Sequence, residues 1–188
     1  MPEPVRRKFR LSILGPYLGL ILVFIFACFL SPIRNGWPVF LQIDNILDIV
    51  RQVSVRGILA VGMTFVIISG GIDLSVGSVL AMATVFAALS LNTWGLGTLA
   101  AIAITLFTGT LAGFFNGMAT ALGRIQPFVV TLAMMSIARG LAMAFSHNYT
   151  IPIHADQAAF LTLEEMAFGI IPIPAILFLA IVGVFQIV

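Results

Sequence analysis

Long apolar runs punctuated by short polar clusters set the plan of this chain. Residues 18–30 and 99–111 are nearly continuous in apolar side chains. In hydrocarbon every backbone N–H and C=O must be paired inside its own segment, so such runs predict helices. A membrane β-barrel would show short alternation of apolar and polar positions instead. The predicted fold class is all-α, a polytopic transmembrane helical bundle with about six spans, the last incomplete.

The first span is expected over about 12–31, with Pro32 stopping it. The loop Arg34-Asn35-Gly36-Trp37-Pro38 then places its Trp at the membrane interface. Asp44 or Asn45 can cap the next helix, with Asp48 in its first turn. Arg51 and Arg56 require that the first two turns stand above the bilayer, or that both side chains snorkel or face other helices. The apolar remainder, 57–69, is too short to cross alone, and the chain breaks at Gly70-Gly71. Asp73 or Ser75 can cap a third helix that runs to about Leu91.

Asn92-Thr93-Trp94-Gly95 forms a turn at the opposite interface, and a fourth span covers 96–122. Gly109, Gly113 and Gly117 recur on it at four-residue spacing, a small-residue ridge suited to helix packing. Gly123-Arg124-Ile125-Gln126 leads into a fifth span over about 128–145, with Pro127 at its first turn and Arg139 within it. Residues 147–168 form the longest extramembrane stretch, with room for a short surface helix over 161–166. Pro172 and Pro174 open a sixth span, 173–188, which stops without a polar anchor. The chain therefore reads as a fragment or part of a longer reading frame. Its organisation is a basic tail, 1–11, and a transmembrane domain, 12–188, truncated on its C-terminal side.

Composition removes the soluble alternative. The chain is 61% hydrophobic and 9% charged, whereas covering a soluble domain takes roughly 25% charged residues. Cys28 is the single cysteine, so one copy can build neither a disulfide nor a cysteine metal cluster. A net charge of +2, scattered along the chain, does not suit nucleic acid. Arg6, Arg7, Lys8 and Arg10 precede the first apolar run, as in a secretory signal peptide. The run 11–30 exceeds an h-region of about 7–15 residues, and Ser31-Pro32-Ile33-Arg34 is a poor cleavage site. It reads as a retained span with its amino end in the cytoplasm, which puts Arg124 inside and 147–168 outside.

The most informative chemistry is Ser69-Gly70-Gly71-Ile72-Asp73-Leu74-Ser75-Val76-Gly77-Ser78, which sets a carboxylate between two apolar runs. One reading makes Asp73 a helix cap in headgroup water. The other puts 70–77 on a translocation route. There Gly70 and Gly71 let the backbone turn or approach a sugar, freed amides donate to hydroxyls, and Asp73 and Ser75 bond a polyol or hold the break in shape. Asn116, an amide within an apolar helix, can bond across helices or line the same route.

With Val61-Gly62-Met63-Thr64 ahead of it, the Gly70–Ser78 run resembles the permease subunit of bacterial sugar importers driven by ATP, the ribose, xylose, arabinose and galactose systems. A second block strengthens the resemblance: Asn116-Gly117, Gln126-Pro127-Phe128-Val129-Val130-Thr131-Leu132, Met135 and Arg139-Gly140. It is recognisable over about residues 40–150 and implies the amino-terminal portion of a larger permease in the bacterial cytoplasmic (inner) membrane. The family resemblance further implies a homodimer with a second permease copy, two cytoplasmic ATP-binding subunits that carry ATP and Mg, and a periplasmic sugar-binding protein. This chain would bind no cofactor and hydrolyse nothing, and the segment that engages the ATPase would follow residue 188.

Bland readings compete for the remaining polar positions. Gln126 and Thr131 beside Pro127 fit a structural turn, with pathway lining as the weaker role. Arg139 snorkels, or finds a partner of which Asp73 is one candidate. Phe65 and Phe128 are weak candidates for sugar-facing aromatics. His147, His154 and Asp156 lack the spacing and the third committed ligand of a metal site. Glu164-Glu165 can dock an external protein or remain solvated. No phosphate-binding Gly-Lys motif and no nucleophile–base set is present. Two other functions compete with the importer: a non-transporting membrane scaffold, and an ion-coupled carrier motivated by Asp73 beside a helix break.

Overall fold

The computed structural model describes residues 11–34, 36–153, 162, 166–167 and 171–187. Arg6, Arg7, Lys8, Arg10, His154, Asp156, Glu164 and Glu165 lie outside the described residues. Six α-helices are present among the described residues: α1 Leu11–Leu30, α2 Ile43–Ile68, α3 Val76–Asn92, α4 Thr98–Ala121, α5 Pro127–Ser146 and α6 Ile173–Ile187. Two antiparallel ribbons accompany them, β1 Ile33–Arg34 with β2 Trp37–Pro38 and β3 Met166–Ala167 with β4 Ile171–Pro172. The chain divides into two compact units, 1–52 and 53–188.

In the first unit, α1 ends where Pro32 cannot continue it. The chain turns back through the β1–β2 ribbon and a 3-10 turn, Val39–Leu41. Val39 N donates to Pro32 O at 2.9 Å and Phe40 N donates to Ser31 Oγ at 2.9 Å. The Phe40 ring meets Phe24 edge-on, with centroids 5.4 Å apart. Asn45 does not cap α2; its Nδ2 donates to Phe40 O at 2.9 Å. Because α2 already starts at Ile43, Asp44 alone occupies the first turn as its acid. Asp48 falls in the second turn and pairs instead with Arg51, Oδ1 to Nη1 at 2.7 Å.

The second unit is built around α3. Met82, Ala112, Ala138 and Ala142 form its buried centre, flanked by Val79, Val85, Phe86 and Met134. Ala101 and Ala138 are fully enclosed at 0% exposure. Small side chains at these positions let α3 approach α4 and α5 closely, the packing mode that works where solvent offers no hydrophobic drive. Ser75 and Ile72, at the start of α3, bond to Asn116 near the end of α4 and Thr131 near the start of α5. At the far end Asn92 Nδ2 donates to Pro152 O beyond α5. Helix α3 therefore runs parallel to α5 and antiparallel to α4.

Hydroxyls along the helices are satisfied by the preceding turn, as a bilayer demands. Ser90 Oγ donates to Ala87 O at 2.7 Å, Thr105 Oγ1 to Ala101 O at 2.8 Å and Thr108 Oγ1 to Ile104 O at 2.8 Å. Helix α6 lies against α2 within the second unit. The Phe185 and Phe65 rings are 4.6 Å apart, and a Cβ added at Gly57 would come within 2.6 Å of the Phe178 ring.

The outward surface is apolar. Phe29 is 84% exposed and Leu99 82%, far beyond the apolar patches a water-soluble monomer carries. Helices α2, α4 and α5 are long and apolar enough to cross a membrane, and the apolar stretches Tyr17–Leu30, Val76–Asn92 and Ile173–Gln186 are shorter. The chain is a multi-pass membrane protein. Observed helix ends fall within two residues of the expected span ends for α1, α4 and α5. Of the short surface helix expected over 161–166, Thr162 is in a 3-10 turn, Met166 lies in β3 paired with Pro172, and the other four residues lie outside the described residues.

The α3–α5 seam predicts its own sensitivity. Ala138→Leu should overpack it and lower stability by about 1–3 kcal/mol, read as a fall in the thermal midpoint of detergent-solubilised protein. Leu99→Ala, on the outward face, should leave that midpoint unchanged.

Candidate functional site at the break between α2 and α3

Helix α2 closes with a Schellman turn. Gly70 N donates to Ile67 O and Gly71 N to Val66 O, both at 2.9 Å, with Gly70 at φ +78°. Gly70 is needed for that left-handed turn. Gly71 is needed for a close approach, since a Cβ there would lie 3.3 Å from Val66 O and 3.6 Å from Pro127 Cβ.

Beyond the glycines, Asp73 folds over the start of α3. Its Oδ1 accepts from Ser75 N at 2.7 Å and from Ser75 Oγ at 2.6 Å, an Asx turn. Asp73 gives a cap-type bond to the Ser75 amide at the amino end of α3, whereas the Ser75 side chain makes no cap bond. Ser75 occupies the N-cap position, yet no side chain bonds the first-turn amides. A carboxylate oxygen is the stronger acceptor and takes the hydrogen bond of the Ser75 hydroxyl. The hydroxyl's lone pair then accepts from Asn116 Nδ2 at 3.1 Å.

This chain of bonds fixes the Asn116 amide. Ser75 Oγ already donates its hydrogen bond to Asp73, so the Asn116 atom facing it must be the donor. Asn116 is 8% exposed, and its Oδ1 is buried with no partner. A second tie holds the break to α5: Thr131 Oγ1 donates to Ile72 O at 3.0 Å and contacts Phe128 O at 3.3 Å. Asn116 precedes the end of α4 by five residues and Thr131 follows the start of α5 by four. At about 1.5 Å per residue, the network sits roughly 6–8 Å inside those helix ends.

Two clefts flank the Asp73–Ser75–Asn116 bridge. One, of about 450 Å³, reaches Ser69, Gly71, Gly117, Thr120 and Thr131. The other, of about 420 Å³, reaches Val76, Thr105 and Gly109. Asp73, Gly113 and Asn116 line both. The glycine ridge of α4 thus faces these clefts. A Cβ at Gly109, Gly113 or Gly117 would meet nothing within 4 Å, so no described helix of this chain packs onto the ridge.

Of the residues singled out in the sequence, Gly71, Asp73, Asn116, Pro127 and Thr131 come together around the first cleft. Gly70 shapes its approach, and Ser75 holds the bridge. Gln126 sits at the N-cap position of α5 without a side-chain bond to it, and Pro127 is its first residue. Phe65 packs on Phe185, and neither Phe65 nor Phe128 lines the two clefts. Arg139 is exposed two turns further along α5, and among the described residues it forms no ion pair with Asp73. His147 ends α5 in the left-handed region at φ 52°. No group of three or more His, Cys, Asp or Glu able to hold a metal occurs among the described residues. Thr120 was not singled out in the sequence; it lies one turn beyond Asn116 on the same face, a spacing that could have marked it.

The chain is thus a multi-pass helical protein with a polar, hydrogen-bonded break between two spans. Residues 45–188 match the family described as "branched-chain amino acid transport system, permease component", and the chain belongs to that family. It is 38% identical over 163 residues to the ribose import permease protein RbsC of Bacillus subtilis strain 168, covering 87% of this chain and 48% of that protein. It is 33% identical over 177 residues to the galactofuranose transporter permease protein YtfT of Escherichia coli strain K12, covering 92% and 50%. The xylose transport system permease protein XylH of Haemophilus influenzae is 36% identical over 135 residues, covering 72% and 36%. The chain thus spans about half, or less, of the length of these relatives. No solved structure matches it.

The bridge makes a quantitative prediction. Ser75→Ala should cost about 1–3 kcal/mol, because it strips a buried amide of its acceptor. Combined with Asn116→Ala in a double-mutant cycle on detergent-solubilised protein, the two changes should couple by about 0.5–3 kcal/mol. Strict additivity would show that the bridge carries no stability.

Proposed function

We propose that this chain is the amino-terminal part of the permease subunit of an ATP-driven importer for a monosaccharide or related polyol. The observation that carries the reading is the match over residues 45–188, which contains the break, the bridge and both clefts. Relatives named for ribose, galactofuranose and xylose support the substrate class. In this reading a second permease copy completes the membrane part, two cytoplasmic subunits bind and hydrolyse ATP with Mg, and a periplasmic protein delivers the sugar. The chain itself hydrolyses nothing.

The location that fits is the bacterial inner membrane with the amino end in the cytoplasm. Helices α3, α4 and α5 then cross in alternating directions, which puts Arg124 and the break at the cytoplasmic end and the Asn92–Pro152 contact at the other. The substrate route runs past Gly70, Gly71, Asp73, Ser75 and Asn116. The bridge between the two clefts divides that route. Motion of the ATP-binding subunits, transmitted through cytoplasmic contacts, opens one side and then the other. Gly109, Gly113 and Gly117 supply the close approach that such motion needs, for a helix of the remaining permease or for the substrate.

Reconstitution of the full-length permease with its ATP-binding subunits and sugar-binding protein in liposomes tests this directly. ATP-dependent accumulation of a labelled pentose or hexose is expected. Uptake that persists without ATP and collapses with an ion gradient would place the chain among ion-coupled carriers. A stable complex lacking ATP-binding subunits, with no uptake, would make it a scaffold.

A further inference from the structure

We propose that the cleft of about 450 Å³ beside the break binds an uncharged polyhydroxyl compound, and that Asp73 Oδ2 is the group that admits hydroxyls and turns anions away. The proposal rests on the importer reading and adds to it the residue that selects the substrate's charge.

The starting point is a conflict at the amino end of α3. Val76, Gly77 and Ser78 begin the helix, and no side chain bonds its first-turn amides. Unsatisfied amides at the positive end of a 17-residue helix are by default an anion site. Asp73 stands at that same end. Its Oδ1 is consumed by two bonds from Ser75, while Oδ2 makes no hydrogen bond among the described residues. No cation pairs with it there either, the one ion pair among them being Arg51 with Asp48. An unpaired carboxylate facing the cleft repels a second negative charge and accepts a proton donor.

Asn116 supplies an independent observation. It lines the same cleft, is more than nine-tenths buried, and has an Oδ1 with no partner. Its orientation is dictated by Ser75, so an acceptor rather than a donor is left over. A buried carbonyl oxygen without a partner costs about 1–3 kcal/mol and calls for a donor. The cleft therefore offers two side-chain acceptors, Asp73 Oδ2 at its wall and the buried Asn116 Oδ1 behind it, while the first-turn residue Val76 of α3 lines the other cleft. A hydroxyl group donates and accepts at once; an ether oxygen or a phosphate oxygen only accepts. The volume falls within the roughly 300–1,000 Å³ of small-molecule sites, larger than a lone cation would fill.

Ligand-observed saturation-transfer NMR on this chain in phosphatidylcholine nanodiscs tests the assignment without any partner subunit. The probes are D-ribose, its per-O-methyl ether, ribose 5-phosphate and sodium chloride against choline chloride. Ribose should bind. The methyl ether, which keeps the acceptors and loses the donors, and the phosphate should each bind at least tenfold more weakly. Asp73→Asn preserves the acceptor for Ser75 and puts an amide donor in place of Oδ2. It should weaken ribose about tenfold and raise ribose 5-phosphate binding above the wild-type level.

Equal binding of ribose and its methyl ether would overturn the proposal. So would absence of ribose binding, displacement of ribose by sodium but not choline, or an Asp73→Asn protein with unchanged selectivity. The wild-type panel decides the question even where the variant fails to fold. Sugar import by the full assembly, without donor-dependent binding to this chain, would defeat the proposal and leave the importer reading intact.

Discussion

A polar group inside a bilayer has only protein to bond with, and that constraint organises this molecule around Asp73, Ser75 and Asn116. The carboxylate accepts a hydrogen bond from the serine hydroxyl, the serine oxygen accepts one from the asparagine amide, and α4 is tied to the amino end of α3. Thr131 makes the matching tie from α5 to the carbonyl of Ile72. Between these ties and the alanine-lined contact of α3 with its neighbours, three helices are held at one end by hydrogen bonds and along their length by close packing. Such buried polar contacts are worth more for fixing an arrangement than for raw stability, because each also carries a desolvation cost.

Much of this plan was legible in the sequence, and the physics explains which part. Apolar runs report where backbone must be internally bonded, so α1, α4 and α5 could be placed to within two residues. Gly70-Gly71 announced the end of α2 because only glycine takes the left-handed turn without strain. Pairings over long separation were not legible: Asn116 with Ser75 is 41 residues apart, and Thr131 with Ile72 is 59. Periodicity fixes the face on which a side chain lies and leaves its partner open. Competition was also hidden. Asp73 and Ser75 both have cap chemistry, and the sequence does not show that they would bond each other and leave the helix amides unbonded.

The glycine ridge of α4 shows the same limit from another side. Four-residue spacing of Gly109, Gly113 and Gly117 signals a surface that something approaches closely. Within this chain the ridge opens onto the two clefts, and Gly113 lies at the point they share. Under the proposed importer reading, that opening is space for a hydrophilic solute beside polar groups. In that proposal the feature that leaves room for a neighbouring helix also leaves room for cargo.

The enclosed centre of the second unit is built chiefly from alanines, with Ala138 sealed between helices and Ala112 and Ala142 beside it. Alanine has no side-chain torsion to freeze or re-sort. Leucine teeth would have to unmesh before one helix could move along another, whereas a methyl-studded track is nearly smooth. Sliding α3 by a fraction of a turn therefore meets little resistance at the alanines and is opposed instead by Met82, by the Phe86–Phe145 ring contact and by the hydrogen bonds at both ends of the helix.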